Sequence, residues 1–139
     1  MKSYIAPYLF FNGNCREAFE YYKTIIGGEL QLMTVGESPM ATHMPDMKDA
    51  IIHAYLRNDL IVLMGSDMID KKEAKQGNAV EICLVGESRE QIKNIYDKLV
   101  ADGGTVNMEF KEEFFGSFGA VVDKFGFYWM VQYSNEEGK

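Results

Sequence analysis

Residues 14–28 read NCREAFEYYKTIIGG, and residues 88–104 read SREQIKNIYDKLVADGG. Both stretches carry apolar residues at the spacing of one helix face and end in two glycines. Glycine readily adopts the left-handed backbone conformation that ends helices. Each stretch therefore predicts one amphipathic helix, which stops at Gly27-Gly28 in the first copy and at Gly103-Gly104 in the second.

The starts of the two helices carry the same signal. Asn14 and Ser88 are residue types that accept backbone hydrogen bonds at a helix N-cap. Glu17 and Gln91 follow three residues later, which completes the capping-box pattern in both copies. We therefore expect both helices to begin with a reciprocal pair of side-chain-to-backbone hydrogen bonds.

Strand-like segments surround both helices in the same order. One precedes each helix, at 7–11 and 79–85, and three follow it, at 29–35, 50–57 and 60–66 in the first half and at 105–110, 118–123 and 127–133 in the second. The chain thus reads as one domain, 1–139, built from two β-α-β-β-β modules at about 5–66 and about 79–134. The predicted class is α+β, with the two modules forming a cupped mixed sheet around a ligand cavity.

Composition excludes several classes of protein. The chain has 139 residues, a net charge of −7, two His and two Cys. An acidic chain lacks the basic face that nucleic acids and anionic membranes require. Two His and two Cys are too few for a His-rich metal cluster, a zinc ribbon or a disulfide framework. No stretch approaches the ~20 apolar residues of a membrane-spanning helix, and the N-terminus carries no apolar signal run.

Cys15 and Cys83 are isolated, and each lies in an apolar pattern. We interpret them as two buried, reduced thiols, which favours a cytoplasmic protein. A Met-rich loop with two prolines spans 36–49 and holds His43, which we interpret as an exposed loop residue. A loop of this length is typical of a functional or mobile segment.

Several runs carry a resemblance to a known family. The most specific is Asp123-Lys124-Phe125-Gly126-Phe127-Tyr128-Trp129-Met130, and the others are residues 7–15, 18–22, 52–54 and 64–67. With the duplicated module, they resemble the PhnB-like branch of the vicinal oxygen chelate superfamily, which includes glyoxalase I, bleomycin resistance proteins, fosfomycin resistance proteins and extradiol dioxygenases. The resemblance covers essentially the whole chain. It implies a glyoxalase/bleomycin-resistance-like fold and a homodimer.

The metal chemistry of that superfamily does not carry over. The four positions that resemble its metal ligands fall at about Pro7, Met64, Val80 and Met130. Pro and Val cannot coordinate a metal, and a Met thioether is a soft ligand that does not suit Zn, Mn, Mg or Fe(II). A shift of one residue would instead supply Tyr8, Glu81 or Val131, which do not make a metal site either. We expect no metal.

The sequence offers no organic cofactor site. Sequences that resemble this branch are often described as ubiquinone methyltransferases. No glycine motif for a dinucleotide or for S-adenosylmethionine follows the first strand segment, and no phosphate-binding glycine loop is present. We therefore expect no cofactor.

Two residues are candidates for acid/base chemistry. His53 alternates with Ile51 and Tyr55 in a strand-like segment. Imidazole exchanges protons near neutral pH, so His53 is either a cavity-lining acid/base or a packed core or interface histidine. Glu81 alternates with Cys83, and its carboxylate lies either in solvent or in the cup, where it would serve as a base.

A second set of residues is expected to line the cup and contact the ligand. It comprises Tyr55, Met64, Phe115, Tyr128, Met130 and Gln132. Strand alternation places Tyr128, Met130 and Gln132 on one face and Trp129 on the other, where it packs as a core anchor. We interpret Asp67 as a turn cap that bonds backbone amides.

These features favour a metal-independent protein that binds a small apolar or aromatic molecule. An enzyme, for example a lyase, an isomerase or a dioxygenase-like protein with His53 or Glu81 as acid/base, is the alternative. A dimeric module whose cup is filled by its own side chains is the third possibility. The ligand itself is not identified by the sequence.

Overall fold

A computed structural model describes residues 2–70 and 72–135. The chain divides after Lys75 into two compact units, and each has the order β-α-β-β-β. Unit 1 contains β1 (Tyr8–Phe11), α1 (Cys15–Ile26), β2 (Glu29–Thr34), β3 (Ile51–Arg57) and β4 (Val62–Asp67). Unit 2 contains β5 (Ile82–Val85), α2 (Arg89–Ala101), β6 (Thr105–Glu113), β7 (Gly116–Val122) and β8 (Tyr128–Ser134). The predicted repeat and the α+β class are confirmed.

The two sheets have the same topology. Their strand orders are β1-β4-β3-β2 and β5-β8-β7-β6. In each sheet the first strand pairs parallel with the last, and the other pairs are antiparallel. Each mixed sheet has four strands and is covered on one face by the helix of its own unit. Most of the candidate site residues lie on the other face of each sheet, whereas Glu81 and Phe115 lie outside the strands.

The helices bury the apolar faces that the sequence pattern predicts. Four side chains of α1 are buried, namely Cys15, Ala18, Phe19 and Tyr22, and four of α2, namely Ile92, Ile95, Tyr96 and Leu99. In unit 1 the Phe19 ring packs edge-on against Phe11 and Tyr22, with centroids 5.9 and 5.8 Å away. In unit 2, Val121, Trp129 and Val131 are buried. Burial of apolar surface drives both units to fold.

The predicted capping box at Asn14 is wrong. Asn14 occupies the N-cap position of α1 but makes no side-chain hydrogen bond there. The carboxylate of Asp67 replaces it, because Oδ1 accepts hydrogen bonds from the amides of Gly13 and Cys15, each at 3.0 Å. Oδ2 accepts one from the Ile51 amide at 2.9 Å. Asp67 does bond backbone amides as expected, but it joins the starts of α1 and β3 instead of capping a local turn.

The start of α2 follows the sequence pattern more closely. Ser88 Oγ accepts a hydrogen bond from the Gln91 amide at 3.1 Å, as expected for an N-cap. Gln91 Oε1 reaches past Ser88 and accepts from the Glu87 amide at 2.7 Å. A reciprocal capping box does form where β2 meets the loop predicted at 36–49, because Thr34 and Glu37 cap a short 3₁₀ helix, Val35–Glu37. A second short 3₁₀ helix, Pro45–Met47, lies in the same loop.

Among the described residues, no helix is long and apolar enough to cross a membrane.

Candidate functional site

The face of the first sheet that α1 does not cover is rich in aromatic side chains. Strand register places Tyr8 beside Met64 and Met64 beside Tyr55, and alternation adds Phe10 and His53 to the same face. We call these five residues the unit 1 open face. Tyr8 and Phe10 are 40% and 46% exposed, and the other three are half-buried. The sequence-predicted residues His53, Tyr55 and Met64 are therefore brought together.

A hydrogen bond joins two members of the unit 1 open face. Tyr8 Oη lies 3.2 Å from His53 Nδ1. The Tyr8 ring centroid is 5.1 Å from that of Phe10 and 5.9 Å from that of His53, and His53 is 6.4 Å from Tyr55. These separations lie in the range of interacting aromatic pairs. The result is an aromatic-rich surface that contains one hydrogen-bonded polar pair, with the exposed Gln31 beside Tyr55.

The corresponding face of the second sheet is less aromatic. Register places Cys83 beside Met130 and Gln132 beside Phe118. Alternation sets Tyr128, Met130 and Gln132 on this face, as predicted. We call Cys83, Tyr128, Met130 and Gln132 the unit 2 open face. Its sulfur and amide groups make it softer and more polar than the unit 1 open face.

Trp129 lies on the opposite face of the second sheet and is 5% exposed. Its Nε1 donates a hydrogen bond to Asp123 Oδ2 at 2.8 Å. The prediction that Trp129 is a core anchor is confirmed.

Phe115 lies at the tip of the β6–β7 hairpin and is 50% exposed. It borders a hollow of about 190 Å³, together with Gly116, Ser117, Phe118, Gln132, Tyr133 and Ser134. Arg89 at the start of α2 holds this end of the hairpin, because its guanidinium donates to Ser117 Oγ at 2.6 Å and to the Glu113 carbonyl at 2.8 Å. Two predicted ligand-binding residues, Phe115 and Gln132, are thus brought together within unit 2.

Glu81 precedes β5 and is half-buried. Its Oε1 atom is buried and has no hydrogen-bond partner among the described residues. A buried carboxylate oxygen without a partner is costly, which is typical of a group that interacts with a ligand or acts as a base. Glu81 is not part of the unit 1 open face, so the two candidate acid/base residues do not form a pair within one unit.

The two cysteines differ in environment. Cys15 is buried as expected, and burial, followed by the nearby Asp67 carboxylate, raises the pKa of its thiol well above the ordinary range. The prediction for Cys83 is wrong, because this residue is exposed. β5 is an outer strand of its sheet, and along it Ile82 and Leu84 are half-buried, whereas Cys83 and Val85 on the opposite face are exposed. Partial desolvation and then the Glu81 carboxylate raise the pKa of Cys83.

Iodoacetamide should therefore modify Cys83 and spare Cys15 in the folded protein. Because the raised pKa lowers the thiolate fraction at neutral pH, Cys83 should react more slowly than an exposed reference thiol, and its rate should rise at higher pH. Glu81→Gln removes the neighbouring negative charge and should shift the rate profile to lower pH. Glu87→Gln, which changes an exposed carboxylate, is the control. Mass spectrometry of modified peptides follows both thiols, and identical profiles for wild type and Glu81→Gln would contradict the role of Glu81.

The positions that resemble metal ligands do not form an oxygen and nitrogen ligand set. Pro7 and Val80 lie before their strands, and Val80 is 83% exposed. The register instead pairs Met64 with Tyr8 and Met130 with Cys83. Across residues 2–70 and 72–135, no group of three or more His, Cys, Asp and Glu side chains could hold a metal ion. At the four positions that resemble metal ligands, Pro and Val have no donor atom and Met has only a soft thioether, which does not fit the metals that prefer hard ligands.

The structure adds Tyr8, Phe10, Cys83 and Phe118 to the candidate site residues. Strand alternation along β1 could have predicted Tyr8 and Phe10, because these two residues are exposed whereas Leu9 and Phe11 between and after them are buried. The hydrogen bond between Tyr8 and His53 has no sequence signal, since the two residues are 45 positions apart.

The chain has the fold of glyoxalase/bleomycin resistance proteins. The fold is shared with a PhnB protein from Bacillus cereus, with a TM-score of 0.77, 23% identity and coverage of 95% of this chain and 100% of that one. It is also shared with a glyoxalase/bleomycin resistance protein/dioxygenase family enzyme from Burkholderia phytofirmans, with a TM-score of 0.62, 11% identity and coverage of 91% and 94%.

The chain belongs to the family described as 3-demethylubiquinone-9 3-methyltransferase, whose model matches residues 3–132. It is similar to Protein YjdN from Escherichia coli, with 33% identity over 91% of this chain and 92% of that protein. It is also similar to protein PA1353 from Pseudomonas aeruginosa, whose crystal structure matches with a TM-score of 0.84 and 38% identity over 96% and 98% of the two chains. The resemblance to the PhnB-like branch is confirmed.

Proposed function

We propose that this protein binds a small apolar or aromatic molecule on the unit 1 open face without a metal ion. The observation that carries the proposal is the cluster of aromatic rings around the hydrogen-bonded Tyr8 and His53. Aromatic rings gain stacking energy beyond simple burial when they pack at such distances. Met64 adds a flexible, polarisable side chain that adapts to the outline of a ligand.

Although the family is described as a methyltransferase, this proposal includes no cofactor site. The backbone amides at the start of α1 are a position where an anionic cofactor group could bind. Here the Gly13 and Cys15 amides already donate to Asp67. At the start of α2, the Gln91 amide donates to the Ser88 side chain, and the Glu87 amide donates to the Gln91 side chain. These occupied donors favour binding of an aromatic molecule on the sheet over binding of a cofactor at a helix end.

A titration with 2-acetylnaphthalene, followed by NMR of ¹³C-methyl methionine, tests the proposal. The methyl signal of Met64, and that of Met33, which pairs with His53 across β2 and β3, should shift. His53→Ala should weaken binding about 5–10-fold, because one hydrogen bond and one ring contact are lost and about 1.4 kcal/mol corresponds to tenfold. His43→Ala is the matched control, since His43 lies in the exposed loop, and it should bind as wild type does. The absence of any Met64 shift, or equal weakening by both variants, would contradict the proposal.

The Tyr8–His53 pair also favours a second function, in which His53 transfers protons in a metal-independent lyase or isomerase reaction. Exchange of the protons next to the carbonyl of 2-acetylnaphthalene in D₂O offers a direct readout. Exchange above the buffer rate, lost in His53→Ala, would support an enzyme. Glu81→Gln serves as the comparison, because Glu81 is the other candidate base. A rate equal to that of buffer alone would remove this function.

We also propose that the protein is a cytoplasmic homodimer. Exposed apolar residues on the second sheet, Val85, Val106 and Met108, support an interface. The two free thiols support a reducing compartment. Light scattering after size-exclusion chromatography tests the dimer, and a monomer mass at micromolar concentration would exclude it. The assignment of 1–139 to a single functional domain stays a prediction.

A further inference from the structure

We propose that Tyr8 holds His53 in the tautomer that carries its proton on Nε2, so that the unit 1 open face selects aromatic molecules bearing an acceptor oxygen. The inference rests on the proposed function, and it names the chemical class of the ligand. That class is a planar ring with a carbonyl, phenolate or carboxylate oxygen. Tyr8 is a positioning residue in this account, because it acts on the ligand through His53.

The direction of the Tyr8–His53 hydrogen bond follows from the chemistry of the two groups. Tyr8 Oη and His53 Nδ1 are 3.2 Å apart. A phenol O–H is a good donor, and an unprotonated imidazole nitrogen is a stronger acceptor than a phenol oxygen. The Tyr8 hydroxyl has no other hydrogen-bond partner among the described residues. The hydroxyl therefore donates to Nδ1, and a neutral imidazole must then carry its proton on Nε2.

The Nε2–H group is then a donor within an aromatic-rich surface. His53 is half-buried, its ring lies between those of Tyr8 and Tyr55, and Nε2 has no hydrogen-bond partner among the described residues. A ring that covers His53 removes water from Nε2. A ligand oxygen at that point replaces the lost hydrogen bond, whereas a purely hydrocarbon ligand leaves the donor unsatisfied. A site of this kind discriminates through the cost of an unpaired polar group.

Two charged residues, Arg57 and Glu29, pair across β3 and β2 on this face of the sheet and would affect the binding of an anionic ligand. Arg57 follows Tyr55 at the next alternate position of β3, and its strand neighbour across β2 is Glu29. Arg57 would favour any anionic ligand, whichever tautomer His53 adopts. A neutral ketone is therefore the discriminating probe, and 2-naphthoate reports the additional effect of Arg57.

The experiment compares two neutral molecules of nearly the same shape, 2-acetylnaphthalene and 2-isopropenylnaphthalene, by the ¹³C-methyl shifts of Met64. Wild type should bind the ketone about tenfold more tightly, the value of one satisfied donor. Tyr8→Phe keeps the ring and removes the hydroxyl, and the ratio should fall to about twofold. Tyr4→Phe, which removes an exposed hydroxyl elsewhere in unit 1, should keep the tenfold ratio.

Long-range ¹H–¹⁵N NMR of the histidines reads the tautomer directly. His53 should show the Nε2–H form in wild type and a larger Nδ1–H population in Tyr8→Phe, while His43 stays unchanged. A dominant Nδ1–H form in wild type, equal affinities for the two naphthalenes, or an unchanged ratio in Tyr8→Phe would each overturn the inference. Binding of both molecules with equal affinity leaves the proposed function standing, whereas binding of neither removes both.

Discussion

Asp67→Ala is expected to destabilise the protein by about 3–5 kcal/mol. The substitution removes the carboxylate that accepts three backbone hydrogen bonds, and a hydrogen bond to a charged group contributes about 1.5–3 kcal/mol. Asp67 is 4% exposed. Its two oxygens accept from the amides of Gly13, Cys15 and Ile51. Loss of the carboxylate leaves these donors without their partner, and it releases the start of α1 from the start of β3. Urea unfolding followed by circular dichroism measures the effect.

Asp70→Ala is the matched control for this prediction. Asp70 lies three residues further on, its side chain is 54% exposed, and it makes a surface ion pair with Lys72 at 3.8 Å. Exposed ion pairs of this kind contribute about 0–1 kcal/mol. The two variants should therefore differ by several kcal/mol. A change at Asp67 as small as the change at Asp70 would show that water or other groups satisfy the three amides.

Gly65→Ala is expected to cost about 1–3 kcal/mol, the range for overpacking a filled core. A Cβ atom at Gly65 would lie 2.6 Å from Cε1 of Phe19 and 2.7 Å from the carbonyl oxygen of Leu9. Neither distance is compatible with van der Waals contact, so α1 would have to move away from β4. Met64 is the next residue along the strand, so its ¹³C-methyl signal should also shift.

A double variant tests whether the Phe19 ring causes the loss. Phe19→Leu removes the ring edge that meets the new Cβ, so Gly65→Ala should cost less in the Phe19→Leu background than in wild type. Neighbouring residues that share a steric conflict show such non-additive free energies. Strictly additive costs would place the strain at the Leu9 carbonyl instead, which no side-chain change at Phe19 can relieve.

The element order was accessible from the sequence because its signals are local. Helical spacing, paired glycines and strand alternation each depend on neighbouring residues, and they located α1, α2 and eight strands within a few residues. The same alternation correctly grouped His53 with Tyr55, and Tyr128 with Met130 and Gln132. Asn14 shows the limit of this reasoning. The local capping pattern predicted that the Asn14 side chain caps α1, but the carboxylate of Asp67, which is distant in sequence, accepts the hydrogen bond instead.

The candidate site depended on pairings between strands distant in sequence. The parallel pairing of β1 with β4 places Tyr8 beside Met64. The hydrogen bond between Tyr8 and His53 links residues that are 45 positions apart in the sequence. The pairing of β5 with β8 places Cys83 beside Met130, on an outer strand that leaves the thiol exposed. Alternation tells which residues share a face, but only strand order and register tell which of them touch. Those depend on long-range packing, so the polar pair within the aromatic surface became visible in the tertiary structure alone.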